Sequence, residues 1–361
     1  MFLLFSIKDG WIMILAINAI FILPSLIFGL LVGRLGLYFD YTRIAQFVKF
    51  TEIFTVVLNT YALYIGNIYL MYLSVFLIGM DVVFFGTVKL VIPTKLLPSK
   101  YFNLCNSFIE SSTYLGILFG TILGGIVFKN NEYGNFIKLI MVGLAIAGFI
   151  FSLFIPKCNN SISDKKDVSI SLYDPSDLSV LKYIYSKSAL FYTTLATSWF
   201  WLLGNIVMSL IPILSKNITS GSVEITNVFL CIFSLGVVIG SYLSHLILNT
   251  EINLKYCILM LSGVSLCSLD LYSIVPLMIN HEKITILEFL KISLNIRILC
   301  DLLCLCIFLS IFVIPVFSLL QLAVKDHKFS NHIISIVNIH HAVFMIFSTA
   351  FLSLLFFFGL S

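Results

Sequence analysis

Apolar runs of about 20 residues follow one another from end to end of this chain, parted by short polar breaks. Wound as a helix, a run of that length crosses the hydrocarbon core of a bilayer, and a helix satisfies its own backbone hydrogen bonds there. The pattern predicts ten spans: 11–33, 45–64, 67–92, 103–128, 136–156, 188–214, 224–249, 255–279, 293–322 and 331–359. The longest polar break runs from Lys157 to Lys187 and holds Lys165, Lys166, Lys182 and the turn-forming pair Asp174-Pro175. Five spans precede it and five follow. The expectation is an all-α polytopic bundle in two halves, 1–156 and 188–361, joined by a central cytoplasmic loop, 157–187.

Composition sharpens this. Of 361 residues, 60% are hydrophobic and 11% charged, well below the roughly 25% charge of a soluble domain. The net charge of +4 is spread over loops, which argues for membrane orientation and against nucleic-acid binding. Every second loop is basic: Arg34 and Arg43; Lys95 and Lys100; the central loop; Lys255; Lys325 and Lys328. The positive-inside rule places these in the cytoplasm. The N-terminus then falls outside, which leads us to expect a span missing before residue 11. No removable signal peptide stands out; the opening MFLLFS is too short to cross a bilayer. Cys231, Cys257, Cys267, Cys300, Cys304 and Cys306 lie in or beside apolar runs and read as small apolar residues. No His joins them at a metal-site spacing, so neither metal nor cofactor is expected.

The stretch 76–128 carries the most chemistry. It reads as a helical hairpin with Asp81 and Lys89 on its first arm and Glu110 on its second. Ser112, Gly116, Gly120 and Gly124 recur every four residues, so they share one face, and such a face lets another helix approach closely in lipid. Gly29 with Gly33, and Gly236 with Gly240, make two further seams. These are read as ordinary close packing or, more sharply, as seams between the two halves.

Ionisable groups inside a span cost several kcal/mol unless they are paired or face water. Glu52, Asp81, Lys89, Glu110, Asp270 and Asp301 are the candidates. Arg297 lies four residues before Asp301, a spacing that allows a pair or a shared cavity face. Asp81 reads as paired or protonated. Lys89 either snorkels or holds an anionic head group. Glu52 and Glu110 can pair with Lys89, Arg43 or Lys49, and Asp270 can cap a helix or pair with a base. His340 and His341 are adjacent and so point to different faces, while Trp199-Phe200-Trp201 is lipid-facing or packed. There is no nucleotide loop, nucleophile elbow or metalloprotease helix, and no polar segment long enough for a catalytic domain. The sequence reads as a carrier rather than an enzyme.

Several stretches together resemble the major facilitator superfamily, and within it the lysophospholipid-transporter branch, which includes the transporter half of acyltransferase/acyl-carrier-protein synthetase fusion proteins. They are Phe21-Ile22-Leu23-Pro24; Gly33 with Asp40, Arg43, Lys49 and Glu52; Phe84-Phe85-Gly86 with Lys89; and Asn106 with Glu110-Ser111-Ser112-Thr113 and 118–125. In the second half they are 198–201, 233–236 with Gly240-Ser241, Asp270-Leu271-Tyr272, Arg297 with Asp301-Leu302, and Pro315. The chain departs from the family at Leu37, where an acidic residue is usual, at Thr87, where Pro is usual, and at Leu90, where Tyr is usual. The family's first and last helices have no counterpart, so the spans correspond to helices 2–11 of twelve, and the chain is expected to be a fragment, a mis-started reading frame, a decayed gene or one part of a split protein.

The resemblance implies movement of a lysophospholipid or related amphipathic solute across the cell (inner) membrane by alternating access. It implies a substrate set of Lys89, Glu110, Arg297, Asp301 and Asp81, with Lys89 and Arg297 on phosphate. It implies a structural or gating set of Gly33, Asp40, Arg43, Glu52 and Asp270. The partners implied are the bilayer, the amphipathic solute, and either an acyltransferase or a separately encoded missing helix. Two other readings stand beside it: proton-coupled efflux of a drug or small solute, and an inactive or split fragment serving as a membrane subunit.

Overall fold

The computed structural model describes residues 10–129, 134–158, 175–219, 223–247, 254–274, 285–325, 327 and 329–358. Among them the regular elements are helices: α1 (Gly10–Tyr38), α2 (Tyr41–Ile65), α3 (Ile68–Leu96), α4 (Phe102–Lys129), α5 (Gly134–Ser152), α6 (Pro175–Ser186), α7 (Ser188–Thr219), α8 (Val223–Ile247), α9 (Leu254–Ile274), α10 (Ile286–Lys291), α11 (Ser293–Val324) and α12 (Ser330–Phe357). A 3₁₀ turn, Ser99–Tyr101, joins α3 to α4. Ten of these helices coincide with the ten apolar runs, and α6 and α10 are short additions.

Among the described residues, seven helices are long and apolar enough to cross a membrane by themselves. Charge in α2 (Arg43, Lys49, Glu52) and polar residues in α4 (Asn103, Asn106, Glu110, Ser111, Ser112, Thr113) dilute those two, and the apolar part of α5, Phe136–Ser152, is short. This is a multi-pass membrane chain.

The helix ends follow from local chemistry. Asp40 caps α2 by accepting the Thr42 amide at 2.8 Å, and also accepts the Cys158 amide at 3.3 Å, which ties the end of the α5 segment to the start of α2. Gly66 closes α2 at φ 67°, a left-handed position that glycine takes without a side-chain clash. Asn67 then caps α3 through the Tyr69 and Leu70 amides. Thr285 and Glu288 form a capping box on α10. Pro175 opens α6 where a missing amide proton costs nothing. Helix α6 lies within the stretch read from sequence as loop; residues 159–174, with Lys165, Lys166 and Asp174, lie outside the described residues.

Packing groups the chain into two compact units. One comprises Leu15–Ser99, Gly134–Leu203 and Leu319–Ser361; the other comprises Met1–Ile14, Lys100–Tyr133 and Gly204–Ser318. This is a grouping by packing. The halves 1–156 and 188–361 are a grouping by chain topology and belong to the transport proposal below.

In the first unit, α1 and α12 pack through glycine. A Cβ on Gly29 would stand 2.5 Å from Ile339 Cγ1, and one on Gly33 would stand 2.8 Å from Ser335 Cβ. Ser335 donates to the Gly29 carbonyl and Asn331 donates to the Gly33 carbonyl at 2.7 Å. Such close backbone approach with interhelical hydrogen bonds is how helices associate in lipid. In the second unit the seam on α8 does the same: a Cβ on Gly236 would meet Cys306 Cβ at 2.6 Å, and one on Gly240 would meet the Ile307 carbonyl at 2.5 Å.

The ladder on α4 behaves otherwise. Ser112, Gly116, Gly120 and Gly124 are exposed, and a Cβ on any of the three glycines would touch nothing within 4 Å. Helix α4 packs instead through Asn106, Glu110, Tyr114 and Leu118, all buried, with Tyr114 5.9 Å from the Phe233 ring of α8. The two rows are offset by two residues, about 200° around a helix, so the ladder faces away from α8. The close packing expected there from spacing alone is absent among the described residues.

Candidate transport site

Six of the intramembrane charges gather into two sets. In the first unit, Lys49 Nζ of α2 lies 2.6 Å from Glu52 Oε2 and 4.4 Å from the centroid of the Phe85 ring on α3. Asp81, one turn before Phe85, has Oδ1 3.2 Å from the Thr51 hydroxyl of α2. Its Oδ2 is shielded from solvent and has no hydrogen-bond partner among the described residues. Glu52 thus takes Lys49, one of the three bases open to it from sequence.

In the second unit, Arg297 of α11 binds Asp270 of α9 through two nitrogens, at 2.5 and 2.9 Å. This bidentate fork is the strong form of the contact. Sequence spacing had offered Asp301 as the partner of Arg297. The cross-helix carboxylate wins because it meets the planar guanidinium with both oxygens. Asp301 lies one turn beyond Arg297 on α11, and its Oδ2 is buried without a hydrogen-bond partner among the described residues.

The remaining predicted residues are placed as follows. Lys89 is half-buried two turns beyond Asp81 on α3, and the next residue offers its carbonyl to the Gln321 amide at 3.0 Å. Glu110 is buried on the face of α4 that carries Tyr114. Gly33 is a packing residue and Asp40 a helix cap, while Arg43 is exposed. Lys89 and Asp81 belong to the first unit, and Glu110, Arg297 and Asp301 to the second. At Thr87, where the resemblance expects Pro, the hydroxyl donates to the Val83 carbonyl and accepts from Asn338 of α12 at 3.0 Å.

One polar grouping escaped the sequence reading. Arg34, counted there among loop cations, is fully buried and lies 2.5 Å from Asp177 of α6. Asp177 also lies 2.7 Å from His332 Nε2 of α12. The only local hint was an acidic residue in the first turn after Pro175, because the partners are 143 and 155 residues away. The adjacent histidines diverge, as their spacing implies: His340 meets the Tyr185 hydroxyl at 2.9 Å, and His341 meets Thr197 Oγ at 2.8 Å. Thr197 spends its own proton on the Thr193 carbonyl, so His341 donates to it. In the aromatic run, Phe200 is buried, and Trp201 lies 6.2 Å from the His341 ring.

No family model matches the sequence, and no curated protein matches it. Solved structures do. A variant of the E. coli fucose:proton symporter aligns over 98% of this chain and 89% of its own, with TM-score 0.64 and 15% identity. The human organic anion transporter MFSD10 aligns over 95% and 79%, with TM-score 0.64 and 13% identity. A bacterial homologue of the iron transporter ferroportin, outward-facing, aligns over 98% and 85%, with TM-score 0.60 and 12% identity. The fold is therefore that of the major facilitator transporters, an all-helical multi-pass membrane bundle. At these identities the likeness is one of fold.

Proposed function

We propose that this chain is a carrier, not an enzyme, moving a lysophospholipid or related amphipathic solute across the cytoplasmic membrane by alternating access of two halves, 1–156 and 188–361. The observation that carries the proposal is the major-facilitator fold over nearly the whole chain, with ionisable side chains held inside its spans. The substrate class rests on the resemblance of the stretches around Lys89, Glu110 and Arg297. Lys89 and Arg297 contact the phosphate, Glu110, Asp81 and Asp301 balance charge or gate, and apolar walls take the acyl chain. An acyltransferase receives the solute on the cytoplasmic side.

The test is uptake of labelled lysophosphatidylethanolamine into proteoliposomes. Lys89→Ala is expected to reduce it at least tenfold, which corresponds to about 1.4 kcal/mol of lost interaction. Unchanged uptake removes Lys89 from the site. Movement of an organic anion or a sugar, the solute classes named for two fold neighbours, with none of lysophospholipid would overturn the substrate class and leave the carrier standing.

A further inference from the structure

The aromatic run Trp199-Phe200-Trp201 and the pair His340-His341 have no part in the carrier reading so far, yet the fold brings one member of each together inside the first unit. The Trp201 and His341 rings lie 6.2 Å apart, tilted by 32°, a separation at which aromatic rings attract. His341 Nε2 meets Thr197 Oγ at 2.8 Å, one turn before Trp201. Thr197, Ser198 and Trp201 fall within about 100° of one another around α7, so they share a face. That face and His341 stand well inside two long apolar helices, α7 and α12, the depth at which carriers hold their solutes.

Hydrogen bonding on this face is incomplete. Thr193, Thr194 and Thr197 each donate to a carbonyl one turn earlier on α7. Ser198 does not: it is fully buried, and its hydroxyl has no hydrogen-bond partner among the described residues. The Trp201 indole nitrogen is likewise shielded and without a partner among them. An indole N–H can donate and cannot accept. Buried polar groups nearly always have a partner. Two orphaned donors on one helical face therefore call for an acceptor that none of the described residues supplies.

The chemistry of that acceptor is restricted. Thr197, Ser198 and Trp201 carry no charge, so an anionic group seated on them would lose its water and gain no counter-ion. An uncharged oxygen fits, because it can accept from an N–H and an O–H at once. A lysophospholipid carries two such oxygens at its neck, between head group and acyl chain: the ester carbonyl and the free glycerol hydroxyl.

We propose that Trp201 and Ser198 form a neck subsite, in which the indole N–H and the serine hydroxyl donate to one uncharged oxygen of the solute. His341, held by Thr197, packs on the indole and orients it. The identity of the solute rests on the carrier reading; the two vacant donors do not.

The test joins binding to uptake. The protein, labelled with nitrogen-15 at tryptophan, is placed in nanodiscs of ether-linked dialkyl phosphatidylcholine, which itself offers neither an ester carbonyl nor a glycerol hydroxyl. Its 3 tryptophans give indole N–H signals assigned through Trp→Phe variants. On titration with lysophosphatidylethanolamine the Trp201 signal is expected to move downfield. Affinity is expected to fall by at least about tenfold for one of two analogues, the alkyl-ether form without the carbonyl or the 2-deoxy form without the hydroxyl, and the analogue that loses names the oxygen. Trp201→Phe keeps an aromatic ring and removes the donor, so it is expected to bind lysophosphatidylethanolamine and that analogue alike. Ser198→Ala is expected to narrow the preference, and Trp199→Phe to keep it. A merely structural Trp201 would weaken both lipids by one factor and leave the preference intact. That result, or equal affinity of the unaltered protein for all the lipids, overturns the proposal. Uptake into proteoliposomes with a stationary Trp201 signal also overturns it and leaves the carrier standing. A shifted signal with no uptake sinks the carrier reading and leaves the subsite standing, and absence of both removes both.

Discussion

Single residues here often do a different job from the one their type suggests. Asp40, which the resemblance places in a structural or gating set, spends its carboxylate on two backbone amides. His327 is similar, in the short link between α11 and α12. Its Nδ1 accepts the Phe329 amide at 3.1 Å and its ring lies 4.6 Å from Tyr183, so the neutral ring is held and partial burial lowers its proton affinity below the ordinary value. The unfolded chain protonates near pH ~6.5, before the folded one does. The contribution of His327 to stability is therefore full above that pH and is lost as pH falls through the depressed folded-state value. Hydrogen exchange at the Phe329 amide, corrected for intrinsic rates, is expected to quicken from about pH 7.5 to about pH 5. His327→Gln should flatten that dependence; equal pH sensitivity in the variant would remove His327 as the cause.

Among the helices, glycine spacing is legible but glycine contact is not. Gly29, Gly33, Gly236 and Gly240 press on neighbouring helices, whereas Gly116, Gly120 and Gly124 face open space with the same spacing. The difference lies in which face of α4 the bulky Tyr114 and Leu118 turn toward α8. Gly240→Leu is expected to cost about 1–3 kcal/mol through overpacking against the α11 backbone, read as a lowered midpoint of thermal unfolding in detergent. Gly116→Leu should leave the midpoint within experimental error. Equal losses in the two variants would show that the α4 ladder is packed after all.

At the scale of the whole molecule, the buried ion cluster on α6 holds distant parts of the chain together. Arg34, Asp177 and His332 join α1, α6 and α12 within one unit. Removing one partner leaves a buried charge uncompensated, so Asp177→Ala is expected to destabilise by about 3–5 kcal/mol. Arg34→Met with Asp177→Leu, which removes both charges and keeps volume, should cost much less than the two single changes added together. Additive losses in thermal unfolding would mean the pair is not coupled. Because α6 lies within the central polar break, this cluster ties that link to α1 and α12.

The sequence by itself determined how many long helices there are, where they lie and that they suit a bilayer, because apolar length and backbone self-satisfaction in lipid are local properties. It also located the charges inside them, since a charge within an apolar run is conspicuous without any structure. Only the tertiary structure decided how those charges combine. Arg297 takes Asp270 on another helix rather than Asp301 on its own, Arg34 is a core residue rather than a loop cation, and the α4 ladder faces away from its neighbour. Each of these outcomes depends on the rotation of a helix about its axis and on partners 27 to 155 residues away. Hydrophobic periodicity carries little of that information where most faces of a helix are apolar.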